Sequence, residues 1–264
     1  MWQAGNGQEA ADRVGSHLPL LYTVEERHWW SRGMRAIALG LLDGVVLPPG
    51  AVLEIGCGGG NFLSALHHRW PGRPLLGLDL RWDALLHAKQ RDAELLVRAN
   101  LDRMPLAGQS CALVVALDVF DQTGVEFGQA LSTCWSLLRP GGYLLLRVSA
   151  LAWLSSPHDA AFGTQRRYSS AEIGRALEAA ALVPLRLTYA NSLLLPLIAA
   201  HRLLQQFGLA GVDGAFGSDG FLNSLGYSAL VMEAAFLQRY DLPIGSSLFC
   251  LAQRPEEESI ADTI

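Results

Sequence analysis

The stretch that most constrains this chain is Val52-Leu53-Glu54-Ile55-Gly56-Cys57-Gly58-Gly59-Gly60, an apolar strand running into a turn with four glycines. Glycines leave the backbone bare, so the N–H groups of such a turn can touch a ligand lying above the strand. Asp79 stands 23 positions beyond Gly56, in Leu78-Asp79-Leu80 at the end of the next apolar run. A carboxylate there accepts hydrogen bonds from both hydroxyls of a ribose. Strand, glycine turn, helix and downstream acid in that order point to a nucleoside cofactor, whereas a Gly-rich turn alone reads equally as a tight loop.

The rest of the chain supplies the sheet that such a turn needs. Short apolar runs at Val52–Ile55, Pro74–Leu78, Leu95–Arg98, Leu113–Ala116, Tyr143–Val148, Leu182–Thr188 and Ser247–Ala252 predict seven strands. Helical stretches alternate with them near Asn61–His68, Trp82–Arg91 and Phe127–Leu138, the pattern of a doubly wound, Rossmann-like α/β fold. Ser169-Ser170-Ala171-Glu172 predicts a capped helix start. Four parts follow: an N-terminal helical lid over 1–47, a cofactor-binding core over 48–190, a helical insertion over 191–240, and a last strand with an acidic tail over 241–264. The lid reads as one helix from Tyr22 to Leu47, and the insertion as helices at Leu193–Gln206 and Ala229–Arg239 around a Gly-rich loop. The first of these is apolar on most faces and is expected to be buried, in a cap, a homodimer interface or an acceptor pocket.

The cofactor is chosen by two departures from the dinucleotide pattern. G-x-G-x-x-G requires glycine where this chain has Asn61, and Glu54 just ahead of the turn would repel a pyrophosphate. A carboxylate there suits a cofactor carrying an amino group and a sulfonium, which is S-adenosylmethionine.

These residues resemble the class I S-adenosylmethionine-dependent methyltransferases, specifically their small bacterial branch. Val52–Gly60 is similar to the first motif, Asp79 to the ribose-binding acid, and Leu138–Gly142 to the turn before the fifth strand. Ala99–Leu106 is similar to G-D-A-E-x-L-P-F, with Asn100 where an Asp accepts the adenine amino group, and Leu117–Gln122 to L-D-V-L-E-H. The resemblance implies cofactor contacts from Glu54, Gly56, Cys57, Gly58, Gly60, Asp79, Leu80, Asn100, Leu101 and Asp118. Asp121 and Gln122 replace the Glu and His of the last motif, so its histidine is absent. Glu26–Trp30 and the segments Ser156–Asp159 and Arg166–Tyr168 are similar to a subgroup's. They imply acceptor contacts from His28, Trp29, Trp30, Gln122 and Tyr168, although Trp29 and Trp30 read equally as a helix packing its aromatic face on the core. His158 and Asp159 are the expected proton-removing pair, with Asp159 bonding Arg166 or Arg167 as the other reading.

Charge and composition narrow the acceptor. Twenty-five acidic against 20 basic residues, a net charge of −5, give no basic excess for a phosphate backbone, and no Asn/Asp-Pro-Pro-aromatic motif grips a nucleobase amine. The expected acceptor is a small hydroxylated metabolite, methylated at oxygen. N-, C- or S-methylation and a non-catalytic cofactor-binding module are the alternatives, with a nicotinamide-dependent oxidoreductase behind them. Four scattered cysteines and no His-x-x-x-His spacing predict neither disulfides nor a metal, and the lack of a leader-like or membrane-length apolar run predicts a cytoplasmic protein.

Overall fold

The computed structural model describes residues 25–91, 93, 95–156, 159–160, 163–207, 209 and 220–256. Its seven strands are β1 (Ala51–Ile55), β2 (Leu75–Asp79), β3 (Leu95–Arg98), β4 (Cys111–Leu117), β5 (Leu138–Ser149), β6 (Val183–Ala190) and β7 (Ser247–Gln253). They form one sheet in the order β3-β2-β1-β4-β5-β7-β6. The first five are parallel, and β7 slots antiparallel between β5 and β6. The order reverses between β1 and β4, so a crevice opens above their carboxyl ends, where ligands bind in open parallel sheets.

Alternate residues of the central strands feed two cores. Val114, Ala116, Leu144 and Leu146 face α4 (Phe127–Leu137) and α5 (Ser170–Ala179). Leu113, Val115, Leu145 and Phe249 face α1 (Trp29–Leu41), α2 (Asn61–Arg69) and α7 (Phe221–Leu237). Between them in the chain come α3 (Trp82–Lys89), whose Ala84, Leu85 and Ala88 are buried, and α6 (Leu195–Gln206). The predicted capping box is present: the Ser169 hydroxyl receives the Glu172 N–H while the Glu172 carboxylate receives that of Ser169.

Three boundaries differ from the sequence reading, each for a local reason. The lid helix does not run to Leu47: α1 begins after His28, which is extended, and the chain turns at Gly44 with φ +79°. β5 runs through Arg139–Gly142 because Gly141, at φ +75°, lets the turn pair with Arg254, whose carbonyl accepts the Gly141 N–H. α7 begins at Phe221, two turns before Ala229, since Asn223 and Gly226 are used to join α1. The apolar side chains Leu197, Leu203 and Leu204 of α6 are exposed on the single chain, so of the three readings of that helix a cap alone does not account for them. No described helix is long and apolar enough to cross a membrane.

Candidate cofactor and acceptor site

The glycine turn is fixed by the neighbouring strand. The N–H groups of Gly56 and Cys57 both reach the Leu78 carbonyl, at 2.7 and 3.0 Å, and Gly58 N–H donates to Asp79 Oδ2 at 2.9 Å. Two of the glycines meet the protein itself: a Cβ on Gly56 would lie 2.4 Å from Val119, and one on Gly60 2.9 Å from Ala88. Cys57 is buried, and burial pushes its thiol pKa up, so it is a packing residue and not a nucleophile.

Asp79 ends β2 with Oδ1 accepting the Arg81 N–H at 2.8 Å and Oδ2 on Gly58. Each oxygen retains a lone pair for a ribose hydroxyl. Leu80 beside it is exposed, available to an adenine face. Asn100 is exposed and caps the short turn Leu101–Arg103 by accepting the Asp102 N–H, while Leu101 is buried in the core.

Glu54 is the acid of β1 and is buried, with Oε2 lacking a partner among the described residues. Burial drives its pKa well above the usual carboxylate range; Glu25 and Asp79 add repulsion, which the Leu63 N–H in the first turn of α2 and Arg147 only partly offset. A buried acceptor in that state calls for a donor or a cation, and an ammonium or sulfonium fits it.

Asp118 follows β4 at φ +56°, a left-handed conformation that an Asp adopts at some cost. Arg147 of β5 holds it with Nε 2.8 Å from Oδ1 and Nη2 on Oδ2. Arg147 is itself buried, with the Trp30 ring 4.9 Å from its guanidinium carbon. The lid therefore reaches the cofactor end of the sheet through Trp30. Sequence reasoning missed Arg147, and the signal was a lone charge inside the apolar run Leu144–Val148.

The other expected acceptor residues are placed differently. Trp29 is buried against α7, where its rings lie 2.8 Å from the Cβ position of Gly226, and His28 packs 5.6 Å from it. Tyr168 is in the core, its ring 4.7 Å from Phe127 and under Arg166. Gln122 pairs with Thr164, and its amide oxygen abuts Gly163. Next to it Asp121 is buried, with Oδ2 on the Ser149 N–H at 2.9 Å, Oδ1 without a partner among the described residues, and a pKa pushed up to about 6 chiefly by burial.

His158 lies outside the described residues. Asp159 is buried between two cations: Arg167 binds both its oxygens at 2.7 Å, and Arg202 of α6 binds Oδ1 at 2.9 Å. These arginines outweigh desolvation and lower its pKa. Asp159 is thus a fastener between the segment after β5 and the insertion, with both oxygens engaged.

Residues 53–146 match the family described as "Methyltransferase domain". The malonyl-[acyl-carrier protein] O-methyltransferase of Methylococcus capsulatus is 33% identical over 101 residues, 37% of this chain and 36% of that protein. Residues 53–146 therefore carry a methyltransferase domain. A second relative, the Drosophila melanogaster tRNA N(3)-methylcytidine methyltransferase Mettl2, is 27% identical over 47% of the chain and 42% of its own length. Both alignments thus span less than half of the curated relatives. In structure, the fold of the chain resembles that of the putative methyltransferase bound to the Trm112 activator of Haloferax volcanii, with a TM-score of 0.61 at 17% identity, covering 94% of this chain and 98% of that one. The cofactor of such a domain is S-adenosylmethionine, and Glu54, Asp79 and Asp118 lie at or near the carboxyl ends of β1, β2 and β4.

Proposed function

We propose that this protein transfers a methyl group from S-adenosylmethionine to the oxygen of a small hydroxylated metabolite. The observation that carries the cofactor half is the buried, unpartnered Glu54 oxygen beside Asp79 and the glycine turn. The small acceptor is supported by the acids Glu25, Glu54, Asp79 and Asp118 around the strand ends, a surrounding hostile to a polyphosphate backbone, and by the net charge of −5. Oxygen as the methylated atom is supported by the relative named as an O-methyltransferase. An N-, C- or S-acceptor, or a cofactor-binding module without turnover, is the alternative outcome.

When bound, the cofactor supplies an electrophilic methyl carbon. The chain's own work is to orient: Asp79 holds the ribose, Glu54 and Asp118 face the cationic end, and Trp30 packs on Arg147 at the cofactor end of the sheet. Deprotonation of a hydroxyl acceptor is assigned to His158, whose neighbour Asp159 is locked in place by Arg167 and Arg202. His158→Ala is expected to lower kcat by about 100-fold with cofactor affinity unchanged, and a kcat within a few fold of wild type removes His158 as the base.

The deciding experiment incubates the full chain with labelled-methyl S-adenosylmethionine and either a panel of phenols, alcohols and carboxylic acids or total tRNA. Label in an acid- and base-characterised O-methyl product supports the reading. Label only in tRNA overturns it, and no label with intact cofactor binding favours the non-catalytic module. The soluble-fraction location expected from the sequence is tested by fractionating cells that express the protein.

A further inference from the structure

Glu25 stands where the lid meets the cofactor turn. Its carboxylate accepts a hydrogen bond from Nδ2 of Asn61, the first residue of α2, at 3.3 Å. The next residue, Glu26, bridges to Arg91 at 2.6 Å, and Arg91 also donates to the Gly59 carbonyl at 2.7 Å. Two consecutive lid residues are therefore pinned onto the glycine turn.

From that position Glu25 acts on the groups at the sheet's carboxyl end. It feels Arg147, Arg91 and Asp118, and it adds to the repulsion on Glu54. The residue keeps solvent-accessible surface, yet the protein around its carboxyl desolvates it and raises its pKa. An independent sign of a cationic ligand is Glu54, buried in the same cluster with one oxygen unpartnered. The guanidinium of Arg147 is already committed to Asp118 through two bonds. Glu25 and Glu54 thus share a region whose buried protein cation is taken.

We propose that Glu25 is a cofactor-binding residue carried by the lid, and that with Glu54 and Asp118 it makes the site read the charge on the cofactor's sulfur. The inference rests on the S-adenosylmethionine reading. Methyl transfer breaks the S–CH3 bond, leaves its electron pair on sulfur and forms the new bond to the acceptor oxygen, whose proton passes to the base. The cofactor enters with one net positive charge and leaves with none. Glu25 attracts the first form and is indifferent to the second, so the site holds the methyl-bearing cofactor and lets the spent one go.

The test uses the full chain and two ligands that cannot react: sinefungin, which carries an amine where the cofactor has its sulfonium methyl, and S-adenosylhomocysteine, whose sulfur is neutral. Calorimetry should show that Glu25→Gln weakens sinefungin about tenfold while S-adenosylhomocysteine changes less than about twofold. In the wild type, raising the salt concentration should narrow the preference for sinefungin without any mutation. Equal loss of both ligands would make Glu25 a structural contact of Asn61, and no loss of either would remove it from the site; each result overturns the proposal. If wild-type protein bound neither ligand, the cofactor reading itself would fall, which separates the two failures.

Discussion

Asp79 and Asp121 are both acids near the carboxyl end of the sheet, and their surroundings give them opposite roles. Asp79 is half-exposed, braces Gly58 and Arg81, and keeps a lone pair free on each oxygen. Asp79→Ala should therefore weaken S-adenosylmethionine by roughly 2–4 kcal/mol, the loss of charge-assisted bonds to two hydroxyls, as measured by calorimetry. Unchanged affinity would contradict the ribose assignment. Asp121 is buried, and its folded-state pKa of about 6 lies above the ordinary 3.8. Between those values the folded chain binds the proton that the unfolded chain has released, so stability falls as pH rises through them. At neutral pH the ionised group costs roughly 1–3 kcal/mol. Asp121→Asn keeps an acceptor for the Ser149 N–H and carries no charge. It should be more stable than wild type by that amount in urea at about pH 7.5, with the gain gone below about pH 4. A pH-independent difference would mean the carboxyl does not titrate in this range.

At the scale of elements, the lid and the insertion are one interlocked pair. The N-cap His28 makes no side-chain bond to α1, and Asn223 of α7 takes that place, accepting the Trp29 N–H at 2.7 Å and donating to the Arg27 carbonyl at 3.1 Å. Gly33 and Gly226 let the helices close: a Cβ on Gly33 would lie 2.4 Å from Leu230. The far side of α7 is tied down as well, because Glu233 receives the N–H groups of Asn191, Ser192 and Leu193. Asn223→Ala should cost about 1–2 kcal/mol and Gly226→Val about 1–3 kcal/mol, the first by orphaning a buried N–H and the second by overpacking Trp29. Because both act on one contact, the double variant should lose less than the sum in urea denaturation. Strict additivity would show that the two ends of the contact are independent. These residues also explain why the start of α7 was not legible: Asn and Gly lower helix propensity, and only packing against α1 overrides it.

For the whole molecule, the legible part was the part built by local rules. The strand–turn–helix of β1 to α2, Asp79 at the end of β2, and the alternation that makes five parallel strands all follow from period and turn chemistry. What escaped was set by long-range contacts: Arg147 reads as an oddity in a strand until Asp118 and Trp30 close on it, and Tyr168 reads as a pocket residue until Phe127 covers its ring. The same distinction decides how the lid should be tested. Deleting residues through Trp30 would strip Trp29 from Gly226 and leave Asn223 facing no helix start. Loss of a buried Trp alone costs about 3–5 kcal/mol, so the truncated chain should melt well below wild type, and its poor activity would say little about closure. Trp30→Ala is the cleaner probe: Trp30 is only half-buried, at the edge of the core, and the Arg147 it stacks on keeps both bonds to Asp118. That variant should lose less than about 2 kcal/mol in urea while releasing bound S-adenosylmethionine several-fold faster in stopped flow. If dissociation is unchanged, Trp30 belongs to the core like Trp29, and the lid ends at Glu25 and Glu26.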